Sequence, residues 1–355
     1  MTALPVPTIQ FTVPDDLTAT EPAEHRGLAR DGVRLLIGRP DRVAHSTFSQ
    51  LGEHLDAGDL LVINNSQTLA AEVDGLQAGD WPTVIHVATE LDDHSWVIEL
   101  RTAPDGARPL LHAQSGEVIR LADAVRMRLL EPYPAPNASP TGHGTRLWRA
   151  QVISSQPFTE YLATHGRPIS YGYLRDRWPL ADYQTIFSIY PGSAEMPSAA
   201  RPFSYELLAR LIADGIGVIP ITLHTGVSSQ EAGEPPQPER FTVSDATARA
   251  VNSARDAGNR IIAVGTTVTR ALESALGFDG RLRARKGWTD LVLGPHRPAQ
   301  VVDGLITGLH NPDASHLLLV ESVVGAATAQ RAYDAAVAER YLWHEFGDSC
   351  LLLPL

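Results

Sequence analysis

Three short apolar runs in this chain finish alike, and that repetition narrows the folds open to it. The run "IIAV" at 261–264 passes through Gly265-Thr266-Thr267 towards "ALESALG". The run "GVIPITL" at 217–223 ends on His224-Thr225-Gly226, and "GLIT" at 304–307 ends on Gly308-Leu309-His310. Brief apolar runs stopped by turn residues read as strands buried on both faces, the habit of parallel sheets. In such sheets ligands sit beyond the carboxyl ends of the strands, near helix N-termini. Three strand ends carrying Gly, Thr and His therefore predict a site for a polar ligand.

The rest of the chain supports an α/β reading. "VRLLIGR" (33–39) and "GDLLVINNS" (58–66) predict two further buried strands. "SYELLARLIADG" (204–215) predicts a helix capped by Ser204 and stopped at Gly215. "SDATARAVNSARDAGN" (244–259) predicts another, opening on Ser244 or Asp245, and "AQRAYDAAVAERYLW" (329–343) predicts a third after the apolar segment "HLLLVESVVG". Between about 70 and 152 the texture changes to short, often alternating segments such as "TVIHVA", "SWVIEL" and "VRMRLLEP". Closely spaced strands with turn signals predict a small β-barrel or sandwich. The expected architecture is a discontinuous α/β main domain, 1–68 and 153–355, with an inserted β-barrel-like domain at 69–152. "EPYPAPNASPTGHGT" (131–145) reads as a Pro/Gly-rich loop, and "GVSSQEAGEPPQPE" (226–239) as a flexible loop or lid.

Composition removes several function classes. Of 355 residues, 43% are apolar and 20% charged, ordinary values for a folded chain with a sizeable core. No run approaches the roughly 20 apolar residues of a membrane helix, and the start lacks a signal-peptide pattern. A single cysteine, Cys350, excludes an internal disulfide and a cysteine zinc site. These features place the protein in the cytoplasm. The net charge of −12, with one lysine at Lys286, argues against a generic nucleic-acid binder.

The chemistry-bearing residues cluster at the strand ends. Gly265, Thr266 and Thr267 offer amides and hydroxyls to an anion at the start of a helix. Arg270 and Glu273, three apart, share a face of that helix, where they can serve a ligand or pair with each other in solvent. His224 and His310 each close an apolar run beside Thr and Gly, where a histidine can act as general base or stand as a satisfied polar residue. Their spacing fits no zinc motif, and the phosphate-loop, dinucleotide and nucleophile-elbow signatures are absent. In "DYQTIFSIYPGSAEMPSAARPFS" (182–204), Tyr183 can stack on a base, and Pro191-Gly192-Ser193 predicts a tight irregular turn.

Taken in order, "YQTIFS", "PGSAEMPSA", "TLHTG", "IIAVGTTVTRALESA", "LITGLHNPDASHLLLVESVVG" and "YDAAVAERYLWHEFGD" resemble the S-adenosylmethionine:tRNA ribosyltransferase-isomerase family of queuosine biosynthesis. "FTVPDDLTATEP" and "GDLLVINNS" agree with it, so the resemblance covers nearly the whole chain and is weakest in the β-rich insert. It implies a cytoplasmic tRNA-modification enzyme, transferase and isomerase at once. The ribosyl group of S-adenosylmethionine would pass to a 7-aminomethyl-7-deazaguanine in tRNA, with release of adenine and methionine. S-adenosylmethionine is then a substrate and not a cofactor, no metal is expected, and tRNA is the partner. On this reading His224 or His310 is the base, and Thr222 with the Gly265–Thr267 turn holds ribose or carboxylate. Arg270 and Glu273 complete the pocket, and Asn64, Tyr183, Gln184, Thr185 and Thr307 join the substrate contacts.

The chain also departs from the family pattern. The family's Asn-Asp-Thr-Arg and Pro-Ala-Arg stand here as Asn64-Asn65-Ser66-Gln67 and Ala70-Ala71-Glu72. Pro202 occupies the place of a family histidine, two more histidines are missing near 238–247, and Asn-Phe-His-Leu-Pro has become Gly308-Leu309-His310-Asn311-Pro312. Lost arginines imply weaker phosphate contacts. They keep two alternatives in view: a paralogue with a small-molecule acceptor, and a binding protein without turnover.

Overall fold

The computed structural model describes residues 6–136, 144–228, 236–312 and 314–354. At its centre four strands run parallel, in the order Gly217–Leu223, Leu60–Asn64, Ile261–Val264 and Gly304–Gly308. Successive side chains leave a strand on opposite faces. Leu60 and Val62 accordingly join one core with Ala263, Val268 and Leu272, while Leu61 and Ile63 join another with Ile262, Phe203 and Leu207. Both faces are covered, which is why these runs read as continuous apolar blocks without alternation.

Towards the edges the sheet turns antiparallel. Ser349–Leu352 runs against Gly304–Gly308, then pairs in parallel with Arg34–Gly38, and Val43–Thr47 closes that edge. Glu239–Val243 and Arg285–Thr289 form the other edge, giving nine strands among the described residues. Two helices begin where the sequence predicts them, and the one expected over 329–343 spans Ala326–Ala338. Ser204 Oγ accepts from Leu207 N at 3.0 Å to cap Tyr205–Ala213, and Ser244 Oγ accepts from Thr247 N at 3.0 Å to cap Asp245–Asp256. Each such cap contributes about 1 kcal/mol. The apolar segment after 315 is the helix His316–Val324, followed at once by Ala326–Ala338.

The β-rich stretch closes on itself. Strands Leu147–Ile153, Trp96–Thr102, Pro82–Glu90, Glu72–Leu76, Val118–Arg120 and Arg126–Pro132 form a closed barrel, which decides between the two architectures expected for it. Val73, Ile85, Ile98, Met127 and Trp148 fill its core. A buried charged network ties the barrel to the segment that follows. Glu72 accepts from Arg167 Nε at 2.7 Å and Arg177 Nη1 at 2.6 Å, and its second oxygen lies 3.1 Å from His86 Nε2. Part of the predicted loop at 131–145 and half of that at 226–239 lie outside the described residues. No helix among the described residues is long and apolar enough to cross a membrane.

Candidate active site

The three strand ends do converge. Thr225-Gly226, Gly265-Thr266-Thr267 and Thr307–Asn311 line one cavity of about 600 Å³ beyond the carboxyl rim of the parallel strands. That volume lies within the roughly 300–1,000 Å³ usual for small-molecule sites. Other parts of the chain complete the walls. Arg101 and Gly106 come from the barrel, Tyr171 and Tyr173 from the segment after it, and Glu195 to Ala199 from the "GSAEMPSA" turn. His344 and Glu345 enter from the approach to the last strand.

The turn at Gly265 has a backbone reason. Its φ is +100°, a region L side chains rarely adopt, and a Cβ there would lie 3.3 Å from Ala199 Cβ. Gly265 supplies no side-chain cap, so the helix Thr266–Ser274 presents an uncapped start at the cavity. One turn further on, Arg270 is buried and fully engaged. Its Nε donates to Leu291 O at 3.2 Å, its Nη2 to Thr289 O at 3.1 Å and Gln237 O at 3.3 Å, and its Nη1 pairs with Glu239. Arg270 thus braces two edge segments around the cavity. It neither pairs with Glu273 nor stands free in solvent. Burial raises the Glu239 carboxyl above its usual range, against the pull of Arg270.

His310 lines the cavity with its Nε2 2.9 Å from Thr307 Oγ1. Its ring stacks on His316, centroids 4.7 Å apart and planes 4° from parallel. Burial first, then the neighbouring His316 and His344, push His310 well below its ordinary 6.5, and burial with Arg270 takes His316 to about 4. The pair is therefore a flat, neutral aromatic plate at neutral pH. The opposite chemistry faces it. Glu195 takes hydrogen bonds from Tyr171 Oη, Ser228 Oγ and, at 2.8 Å, Ser228 N. Glu345 takes one from Tyr173 Oη at 3.2 Å. A plate for a planar group, an uncapped helix start for an anion and carboxylates for a cation share one cavity.

Of the residues expected from sequence, Gly265, Thr266, Thr267, Arg270, Thr307 and His310 line this cavity. The others are not among the residues that line it, and each has protein contacts of its own. His224 lies beneath the rim, its Nδ1 2.7 Å from Ser66 Oγ and its ring against Gly192, where any Cβ would fall 2.5 Å from Nδ1. Burial, with Arg240 second, lowers it to about 4. Asn64 binds the Leu223 backbone on both sides, accepting at 3.0 Å and donating at 2.8 Å, and Thr222 Oγ1 donates to Asn65 Oδ1 at 2.6 Å. Glu273 accepts from the N–H groups of Gln300, Val301 and Val302 at 2.9, 2.7 and 3.2 Å. Tyr183 packs edge-on against Phe346 at 5.2 Å, Gln184 clamps the Thr68 backbone, and Thr185 Oγ1 accepts from Phe187 N at 3.2 Å.

The acidic wall and its tyrosines escape a motif-by-motif reading. Glu195 and Glu345 both lie inside stretches that carry the family resemblance, "PGSAEMPSA" and "YLWHEFGD", and an acid among small or aromatic residues is the signal available there. Nothing local marks Tyr171 or Tyr173, because the partners that make them matter are 24 and 172 residues away in sequence.

The chain is similar to known proteins along nearly its whole length. A family model described as queuosine biosynthesis protein matches residues 6–352. The S-adenosylmethionine:tRNA ribosyltransferase-isomerase of Desulfitobacterium hafniense is 31% identical, covering 97% of this chain and 98% of its own length. That of Symbiobacterium thermophilum is 32% identical over the same shares, 97% and 98%. The crystal structure of S-adenosylmethionine tRNA ribosyltransferase from Thermotoga maritima is similar at a TM-score of 0.54, with 25% identity over 97% of this chain and 99% of that one.

Proposed function

This chain belongs to the queuosine biosynthesis protein family, and from that membership we propose that it is an S-adenosylmethionine:tRNA ribosyltransferase-isomerase. It moves the ribosyl group of S-adenosylmethionine onto the amine of a 7-aminomethyl-7-deazaguanine in tRNA and isomerises it to the epoxycyclopentanediol, releasing adenine and methionine. The observation that carries this reading is the meeting of three strand-end turns on one cavity walled by carboxylates. S-adenosylmethionine is a cation with an anionic tail and a flat base, and the cavity answers each part. The uncapped start at Gly265–Thr267 suits the methionine carboxylate through its free N–H groups and helix dipole. The His310–His316 plate suits adenine, and Glu195 suits the sulfonium and ammonium charges.

The sulfonium makes the neighbouring C5′ hydrogens acidic, so a positioned base can remove one and start the loss of adenine. The amine then bonds to the ribosyl carbon skeleton, and an oxygen displaces methionine from C5′ to close the epoxide. Arg270 holds the edge segments on which this arrangement depends, with Thr307 fixing His310.

The departures at 64–72 do not empty this cavity. Glu72, which stands where the family carries an arginine, is met by Arg167 and Arg177 within the barrel network, so the reversed charge has its own partners. The test is nucleoside analysis of hypomodified tRNA after incubation with the protein and S-adenosylmethionine. An epoxycyclopentanediol-bearing deazaguanine supports the reading. Unchanged tRNA together with modification of a free deazaguanine amine transfers it to a small-molecule acceptor.

A further inference from the structure

We propose that Glu345 is the catalytic proton-transfer residue of this cavity, with Tyr173 as its positioning residue. The inference rests on the reading that the cavity holds S-adenosylmethionine. It departs from the histidine base expected from sequence. His224 lies outside the cavity lining, and His310 has its Nε2 occupied by the Thr307 hydroxyl at 2.9 Å.

The geometry around Glu345 is built for a defined carboxyl. Tyr173 Oη donates to it at 3.2 Å, and the Tyr173 ring is fixed by stacking on His344 at 4.4 Å and 15°. His344 itself holds φ at +72°, a strained value for a residue other than glycine, of the kind that gathers at functional sites. The charged and titratable groups acting on Glu345 are Glu195, Tyr173, Tyr183 and Arg201, the last paired with Glu24 at 2.7 Å. Burial, then the Glu195 charge, push the Glu345 carboxyl up to about 8, while Tyr173 and Arg201 pull it down. Glu195 differs in having three donors from Tyr171 and Ser228. Two carboxyl groups in one site with unlike surroundings divide the work, one anchored by three donors and one as the acid and base. A conjugate acid near the working pH also makes a far better base than an imidazole pushed down to about 4.

The protons balance through this one group. Glu345 takes a C5′ proton, the electron pair staying on carbon beside the sulfonium. That pair forms a C4′–C5′ double bond as C4′–O4′ breaks, O4′ closes a carbonyl at C1′, and the glycosidic bond breaks with its own pair on adenine, which receives the proton from Glu345. The amine adds to C4′ and loses a proton, which Glu345 passes to solvent, while the double-bond pair returned to C5′ bonds to C1′ and leaves an alkoxide there. That alkoxide bonds to C5′ as the C5′–S bond breaks with its pair on sulfur, so the epoxide closes, a sulfonium cation becomes neutral methionine thioether, and one proton is released in all.

Three variants test this by adenine release, by S-adenosylmethionine affinity and by exchange of the C5′ hydrogens in deuterated water. Glu345→Gln should lose at least about 10²-fold in release and exchange while binding S-adenosylmethionine within about threefold of wild type. Glu345→Asp should recover part of the loss. Tyr173→Phe removes a contact that holds the carboxyl down, so the rate should rise with pH along a limb displaced to higher pH. Glu345→Gln turning over near the wild-type rate, or a Tyr173→Phe limb that stays in place, overturns the proposal. If Glu345→Gln does not fold, the Tyr173→Phe limb decides. A wild-type protein that exchanges C5′ hydrogens but never releases adenine with tRNA sinks the function proposed above, and the exchange rate of Glu345→Gln still judges Glu345.

Discussion

The imidazoles of His310 and His316 lie face to face, 4.7 Å between centroids and 4° from parallel. Both are held neutral, His316 to about 4 and His310 well below 6.5, chiefly by burial. The unfolded chain therefore binds these protons more tightly than the folded one. Stability from this pair is present above about 6.5 and is lost as pH falls towards 4. Urea titrations of His316→Phe at pH 7 and pH 5 should show a smaller drop between the two than wild type shows. An identical drop in a His310→Phe/His316→Phe double variant contradicts the neutral plate.

Arg270 and Glu239 form a buried pair that spans the helix after Ile261–Val264 and an edge strand. Removing one partner from such a pair leaves an uncompensated charge and costs about 3–5 kcal/mol. Arg270→Ala should lower the melting temperature and weaken S-adenosylmethionine binding together. Arg270→Met with Glu239→Gln should recover much of the stability, and calorimetric unfolding compares the three proteins. No loss in the single variant denies the bracing role.

Thr266 separates binding from stability. Its side chain is half-buried at the uncapped helix start and lines the cavity. Thr266→Val should leave the melting point within a degree or two, since surface-type changes stay near ±0.5 kcal/mol, and should weaken the ligand by about tenfold through a lost hydrogen bond. Isothermal titration with unchanged affinity removes the Gly265–Thr267 turn from the site.

Glu345 contributes a pH dependence of opposite sign. Its folded carboxyl titrates at about 8 against an ordinary 4.5, so the protonated form is favoured by folding. Stability from this group is complete below about 4.5 and declines as pH rises through 8. Glu345→Gln should therefore melt higher than wild type at pH 9 and alike at pH 4. Equal melting points at pH 9 speak against a buried, strained carboxyl.

Binding of tRNA should depend shallowly on salt. The arginine positions of the family motif are Gln67 and Glu72 here, and Arg167 and Arg177 are engaged with Glu72. The slope of log affinity against log salt counts phosphate contacts, and a filter-binding series across salt concentrations reads it. A steep slope shows that cations elsewhere on the surface grip the backbone.

The sequence carries the parts of this fold that are decided locally. Ser204 and Ser244 cap helices through partners three residues away, and the apolar runs of the parallel strands are legible because both their faces are buried. The strand Ser349–Leu352 is not, since four apolar-rich residues gain their meaning from pairing with Gly304–Gly308 and Arg34–Gly38. The same division runs through the site. Gly265 and His310 are visible as strand-end residues, whereas Arg270 finds Glu239 across 31 residues and Tyr173 finds Glu345 across 172. Asn64, Thr222 and His224 carry the expected chemistry at the strand ends, and Asn64 Oδ1, Thr222 Oγ1 and His224 Nδ1 bond to the Leu223 backbone, Asn65 and Ser66.

The most direct measurement follows adenine and methionine chromatographically as the protein meets S-adenosylmethionine with and without hypomodified tRNA. Equal amounts of both products, formed when the tRNA is present, are the expected result. S-adenosylmethionine left intact beside a competent tRNA would contradict the account at its root.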